Sequence, residues 1–274
     1  MPDLTLWQQL SFALLAGASL LLLAQRHTAA GWLLAACLPA AMAAGLLTMA
    51  AAPLLPLLVA LRYWQMRQPA HPAPRWAQVG IALALGLHLL PGFASLTLWH
   101  GQLAADSSPY LLRWGLDKAL AGCLLLLTFA DWQPARHGQR WPQLGLALLL
   151  LLLAFASALL LGLVRVDVKW PAWWPYWLAG NLLLTSLAEE ALFRRTLPQL
   201  LPARWPPLVR LLLCSLLFGL AHAGGGPVWL LCASLAGMAY ALIYRASGQL
   251  GWAIVAHTAF NSLHLALLSY PQLQ

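Results

Sequence analysis

The sequence predicts an all-α membrane protein, a polytopic helix bundle with about eight or nine transmembrane segments. Three observations carry that expectation. Of its 274 residues 62% are hydrophobic and only 8% are charged, with a mean hydropathy of +0.74, whereas a soluble domain carries roughly 25% charged residues. Apolar runs able to supply spans of about 20 residues each follow one another with nothing soluble between them. Tryptophans cluster near the ends of those runs, Trp170, Trp173, Trp174 and Trp177 among them, as in an interfacial aromatic belt.

The runs fall at 7–24, 31–63, 76–99, 110–131, 142–164, 175–193, 207–222, 227–244 and 251–269. The first has no preceding basic region and no small-residue cleavage site, so it reads as a retained span rather than a signal peptide. The second is too long for one span, and Pro53 and Pro56 either divide it into a hairpin or kink one tilted helix. The remaining seven each read as one helix, the shorter ones as partial crossings, and no internal repeat relates them. The four cysteines, Cys37, Cys123, Cys214 and Cys232, lie in apolar runs without CxxC or metal spacing and read as small apolar fillers.

A net charge of +8 on a soluble chain would point to nucleic acid. Here the basic residues lie between apolar runs, so the partner is the lipid bilayer and no nucleic acid is expected. Arg62, Arg67 and Arg75 share one loop, Arg136 and Arg140 another, Arg194, Arg195, Arg204 and Arg210 mark a third, and Arg245 a fourth. Intervening loops at 100–109 and 223–227 have none. The arginine-rich loops are therefore expected on the cytoplasmic side and the C-terminus on the other. The compact composition, rich in Leu, Ala and Trp, suits a multi-pass protein of the bacterial inner membrane.

Against this background three polar sets stand out. The chain has two glutamates, and they are adjacent: Glu189 and Glu190, inside an apolar run and followed by Arg194. A charged side chain at a membrane-helix centre costs roughly 2.5–3.5 kcal/mol on insertion scales, so such groups are functional candidates by default. On a helix Glu190 and Arg194 are i,i+4 and can pair, while Glu189 is rotated by about 100° and can face elsewhere. The second set is Phe218-Gly219-Leu220-Ala221-His222, followed by Gly224-Gly225-Gly226. The third is His257 and Asn261, i,i+4 on the last helix, with His264 peripheral at i+7. Taken singly, they also fit a helix-end salt bridge, an interfacial histidine and interhelical glue. Together they supply a carboxylate, two imidazoles and an amide, which is the inventory for activating water and stabilising an oxyanion.

These sets resemble the patterns EExxxR, FxxxH and HxxxN/D of the CPBP intramembrane proteases, also called the Abi or CAAX-protease-like family. All three are intact and in order: Glu189-Glu190-Ala191-Leu192-Phe193-Arg194, Phe218 to His222, and His257 to Asn261. The segment with Gly237, Tyr244, Gly248 and Leu250 resembles that family's penultimate helix and its turn. The resemblance covers about residues 175–270. It divides the chain into N-terminal transmembrane helices of unassigned role, 1–170, and a catalytic helical core, 171–274. It implies a glutamate-type intramembrane endopeptidase acting on a membrane protein or peptide precursor. By that analogy Glu189 with His222 activates water, His257 and Asn261 hold the oxyanion, and Glu190 with Arg194 braces the site, Phe218 supporting. One carboxylate and two imidazoles also form a zinc-type ligand set, but the HExxH helix motif is absent; no metal and no other cofactor is expected. Two other readings stay open at this point. One is a non-catalytic scaffold or immunity protein with a protease-like fold, the other a proton-coupled transporter using a buried glutamate. Oligomeric state has no signature in the sequence.

Overall fold

The structure is a computed structural model that describes residues 3–129 and 140–274. Asp131 and Arg136, the end of the fourth apolar run and half of one basic loop, lie outside the described residues.

The chain is mostly helical. Helix α1 (Leu6–Leu23) starts at a capping box in which Thr5 and Gln8 satisfy each other's backbone N–H. The second apolar run is divided, as one of its two readings expected. Helix α2 (His27–Ala43) ends at a turn around Gly45 (φ 71°), and α3 (Leu54–Arg67) starts only after Pro53. Helix α4 (Ala73–Gly86) follows.

Here the all-helical expectation needs correction. The runs at 76–99 and 110–131 are each partly strand: β1 (Ser95–Gly101) and β2 (Tyr110–Gly115) pair in a two-stranded sheet. Helix α4 stops at Gly86, and the chain turns through His88 (φ 57°) and Gly92 (φ 89°) before the first strand. Burial alternates along the start of β1, with Ser95 and Thr97 exposed, Leu96 half-buried and Leu98 buried. Total hydrophobicity had concealed this period-two pattern.

Helix α5 (Leu116–Thr128) completes the fourth run, and α6 (Arg140–Leu160) forms the fifth. The sixth run is a continuous helical rod with two wide turns. Helix α7 (Trp174–Gly180) passes into a π segment (Asn181–Ser186), then α8 (Leu187–Glu190), a second π segment (Ala191–Thr196) and α9 (Leu197–Leu200). Helix α10 (Pro207–Leu220) begins with Pro in its first turn, and α11 (Pro227–Ser247) has Pro at its start and Gly248 (φ 69°) at its end. Helix α12 (Leu250–Leu267) is the last.

Among the described residues three helices, α1, α6 and α11, are long and apolar enough to cross a membrane, and α2 and α10 are shorter apolar helices. Exposed leucines on α6, such as Leu148 and Leu152, present the apolar face that lipid requires.

The chain forms two compact units. The first is Met1–Leu98, Leu112–Asp131 and Leu183–Glu189. In it α1 packs on α2 and α5, and α4 on α3 and α5. A buried polar ladder ties three of these helices: Gln65 donates to the Thr128 carbonyl (3.0 Å), Gln78 to Gln65 (2.8 Å), and the Thr128 hydroxyl to Gln78 (2.9 Å). The second unit is Trp99–Leu111, Trp132–Leu182 and Glu190–Gln274. It is organised around α11, which packs on α6, α10 and α12. Ala147 and Ala154 let α6 lie close, with Leu150, Leu211, Ala239 and Leu242 in the core.

The tryptophan belt also differs from expectation. Trp170 is exposed, but Trp173 and Trp177 are buried. Trp173 lies against Trp99 and Tyr110, and Trp177 donates to the Tyr270 hydroxyl. All four cysteines are free and buried, as apolar fillers should be.

Candidate active site

The two glutamates occupy the single α turn between the two π segments, and wide turns of this kind recur at functional sites. The boundary between the two units falls between them.

In the second unit Glu190 is fully buried. Its Oε1 accepts from Nδ1 of His257 (2.9 Å). Its Oε2 lies 3.1 Å from Nε of Arg194, an ion pair with less than ideal hydrogen-bond alignment. The i,i+4 pair read from the sequence therefore forms, across a π segment. Arg194 and Arg195 are both buried rather than in a basic loop. The reason is local: aromatic faces and a carboxylate replace water around Arg194. Its guanidinium carbon stands 4.6 Å from the Phe218 ring centre, 5.6 Å from Tyr240 and 5.8 Å from Phe193. Desolvated cation–π contacts are worth about 2 kcal/mol or more.

Phe218 is where the three motifs meet. Besides Arg194 of the first motif, its ring touches His222 of the second (4.7 Å) and His257 of the third (5.7 Å, edge-on). Gly237 of α11 makes the socket: a Cβ there would lie 2.9 Å from the Phe218 ring and 3.3 Å from its Cβ. Tyr240, one turn on, stacks flat on His257 at 4.6 Å. Neither Gly237 nor Tyr240 was given a role in this site by sequence reasoning. Their i,i+3 spacing on α11 puts both on one face, but nothing local marks that face as facing the motifs.

His222 is not on a helix. Helix α10 ends at Leu220, and His222 lies half-buried in the turn that leads into Gly224–Gly226. Its Nδ1 is 2.8 Å from the Phe218 carbonyl. A carbonyl can only accept, so Nδ1 carries the proton and, in the neutral ring, Nε2 carries the lone pair. His257 is fixed the same way by Glu190. When His257 is doubly protonated, the Glu190 carboxylate balances the added charge. Asn261, one turn further on α12, donates to Oδ1 of Asn181 (3.3 Å). Asn181 was missed. Its signal was a lone amide inside an apolar run.

In the first unit Glu189 is partly buried and pairs with a residue outside every motif: Lys118 of α5, whose Nζ is 2.7 Å from Oε1. In the second unit, among the described residues, no three His, Cys, Asp or Glu side chains gather as a metal-ligand group.

With this geometry in hand, residues 170–263 match the family model described as Type II CAAX prenyl endopeptidase Rce1-like. This region is similar to the Rce1-like members of the CPBP family. The match spans about a third of the chain and takes in all three motifs. No curated protein and no solved structure matches. The Rce1-like match and the long apolar helices fit an integral membrane protein.

Proposed function

We propose that this protein is a multi-pass intramembrane endopeptidase that hydrolyses a peptide bond of a membrane protein or peptide precursor without a metal. Glu189 and His222 take a proton from water as its oxygen attacks the scissile carbonyl carbon. The carbonyl oxygen becomes an oxyanion, held by hydrogen bonds from His257 and Asn261. Collapse of the tetrahedral intermediate breaks the C–N bond, and the proton passes to the departing amine. Glu190 steadies His257 as charge develops, and Arg194 and Phe218 hold Glu190 and both imidazole-bearing segments in register. The chain crosses the bilayer about eight or nine times, its shorter helices as partial spans, in a bacterial cell membrane.

The observation that carries this reading is the assembly around Phe218. One ring contacts Arg194, His222 and His257, one residue from each of three motifs far apart in sequence. The tautomer of His222, with its lone pair on Nε2, is the one a proton acceptor needs.

The test compares the membrane proteomes of cells carrying the wild-type chain, Glu189→Gln or His222→Ala, all at equal inserted levels. A precursor should accumulate in both variants and be cleaved with the wild type. Equal processing in all three strains overturns the reading.

A further inference from the structure

Helix α5 brings two features to the segment bearing Glu189, both within the first unit. Lys118 reaches the carboxylate, and Gly122, one turn on and on the same face, lies against the backbone beneath it. A Cβ at Gly122 would stand 2.4 Å from a Leu187 methyl and 3.0 Å from the Ala188 Cα. The two helical segments therefore touch backbone to backbone, which brings the lysine within reach.

The neighbouring charges are accounted for as well. Asp117, beside Lys118, is occupied by Nδ1 of His88 at 2.5 Å and by the backbone N–H of Lys118 at 2.9 Å. That leaves the Lys118 ammonium directed to Glu189 rather than to its own neighbour.

Burial in a low-dielectric setting biases a carboxylate toward its protonated form, and a protonated Glu cannot accept a proton from water. An ammonium at 2.7 Å opposes this. We infer that Lys118 is a positioning residue that holds Glu189 as an oriented, ionised carboxylate, with Gly122 setting the distance between them. This rests on the assignment of Glu189 as the proton acceptor, and deepens it by naming a group that keeps the acceptor competent.

The chain itself supplies the probe. It has only two glutamates, so glutamate labelled with heavy carbon at the side-chain carboxyl isolates two infrared bands from those of the aspartates. Subtracting the Glu189→Gln spectrum leaves Glu189 alone. In lipid nanodiscs at neutral pH, the wild type and Lys118→Arg should show the carboxylate stretch. Lys118→Met should lose most of it and gain a protonated carbonyl band. A wild-type carboxylate band in Lys118→Met overturns the assignment. Should Lys118→Met reduce the amount of inserted chain, the double variant Lys118→Met/Glu189→Gln should restore it, because the carboxylate that lost its ammonium is neutral there. Failure to restore it also overturns the assignment. The spectrum does not depend on proteolysis. An active Glu189→Gln enzyme would refute the acceptor role alone, and an unchanged Lys118→Met band would refute the lysine's role alone.

Discussion

Glu189 and Glu190 are identical residues one peptide bond apart, yet the two units that hold them treat them as different reagents. Glu190, in the second unit, is sealed from solvent between Arg194 and His257. Glu189, in the first, is partly exposed and meets the flexible Lys118. A carboxylate locked by two partners can brace but has little room to exchange protons. One that is partly exposed and faces a flexible ammonium can still accept a hydrogen bond from water. Burial and partners, rather than residue type, divide the labour.

The sharpest way to break this comparison is a pair of isosteric changes. Glu189→Gln should lower turnover of the accumulated precursor by about 10²–10⁴-fold, the usual range for a general base, while the thermal midpoint in detergent stays close to wild type. Loss of stability as large as that of a Glu190 variant would erase the distinction. In the other half, Arg194→Met leaves Glu190 buried without its cation. Breaking such a pair costs about 3–5 kcal/mol, so the variant should melt far earlier and accumulate poorly. A stable Arg194→Met chain would mean that Glu190 is not held as described.

Two smaller changes sharpen the second unit. Gly237→Ala pushes a methyl into the Phe218 ring, and overpacking of this kind costs about 1–3 kcal/mol. Activity should fall with stability, since the ring that shifts touches His222 and His257. The smallest effect is expected at Asp106. Arg165 holds this exposed loop carboxylate at 2.7 and 2.9 Å and keeps it below its ordinary value of 3.8. A lowered carboxylate contributes stability above its ordinary range and loses it as pH falls through the folded value. Asp106→Asn should therefore remove only part of the acid limb of the stability profile and leave neutral-pH activity intact.

The polarity rule for a bilayer, which makes every buried charge costly, rendered the tandem glutamates and the motif histidines legible in a chain with only 8% charged residues. The same rule made membrane character readable from composition, and the spacing of Glu190 and Arg194 foretold their pairing. It could not reveal the β1–β2 hairpin, because strand and helix are equally apolar here and only the alternation differs. Basic residues counted as loop markers misled at Arg194 and Arg195, since a charge can be housed by aromatic faces as well as by water.

What the sequence determined by itself is therefore the solvent this protein lives in and the short list of groups with chemistry. Tertiary structure alone decided which group meets which: Lys118 with Glu189, Gly237 under Phe218, Tyr240 on His257. These partners lie from 17 to 71 residues apart, and contacts across such separations are set by which helix faces pack together, a property no local spacing encodes.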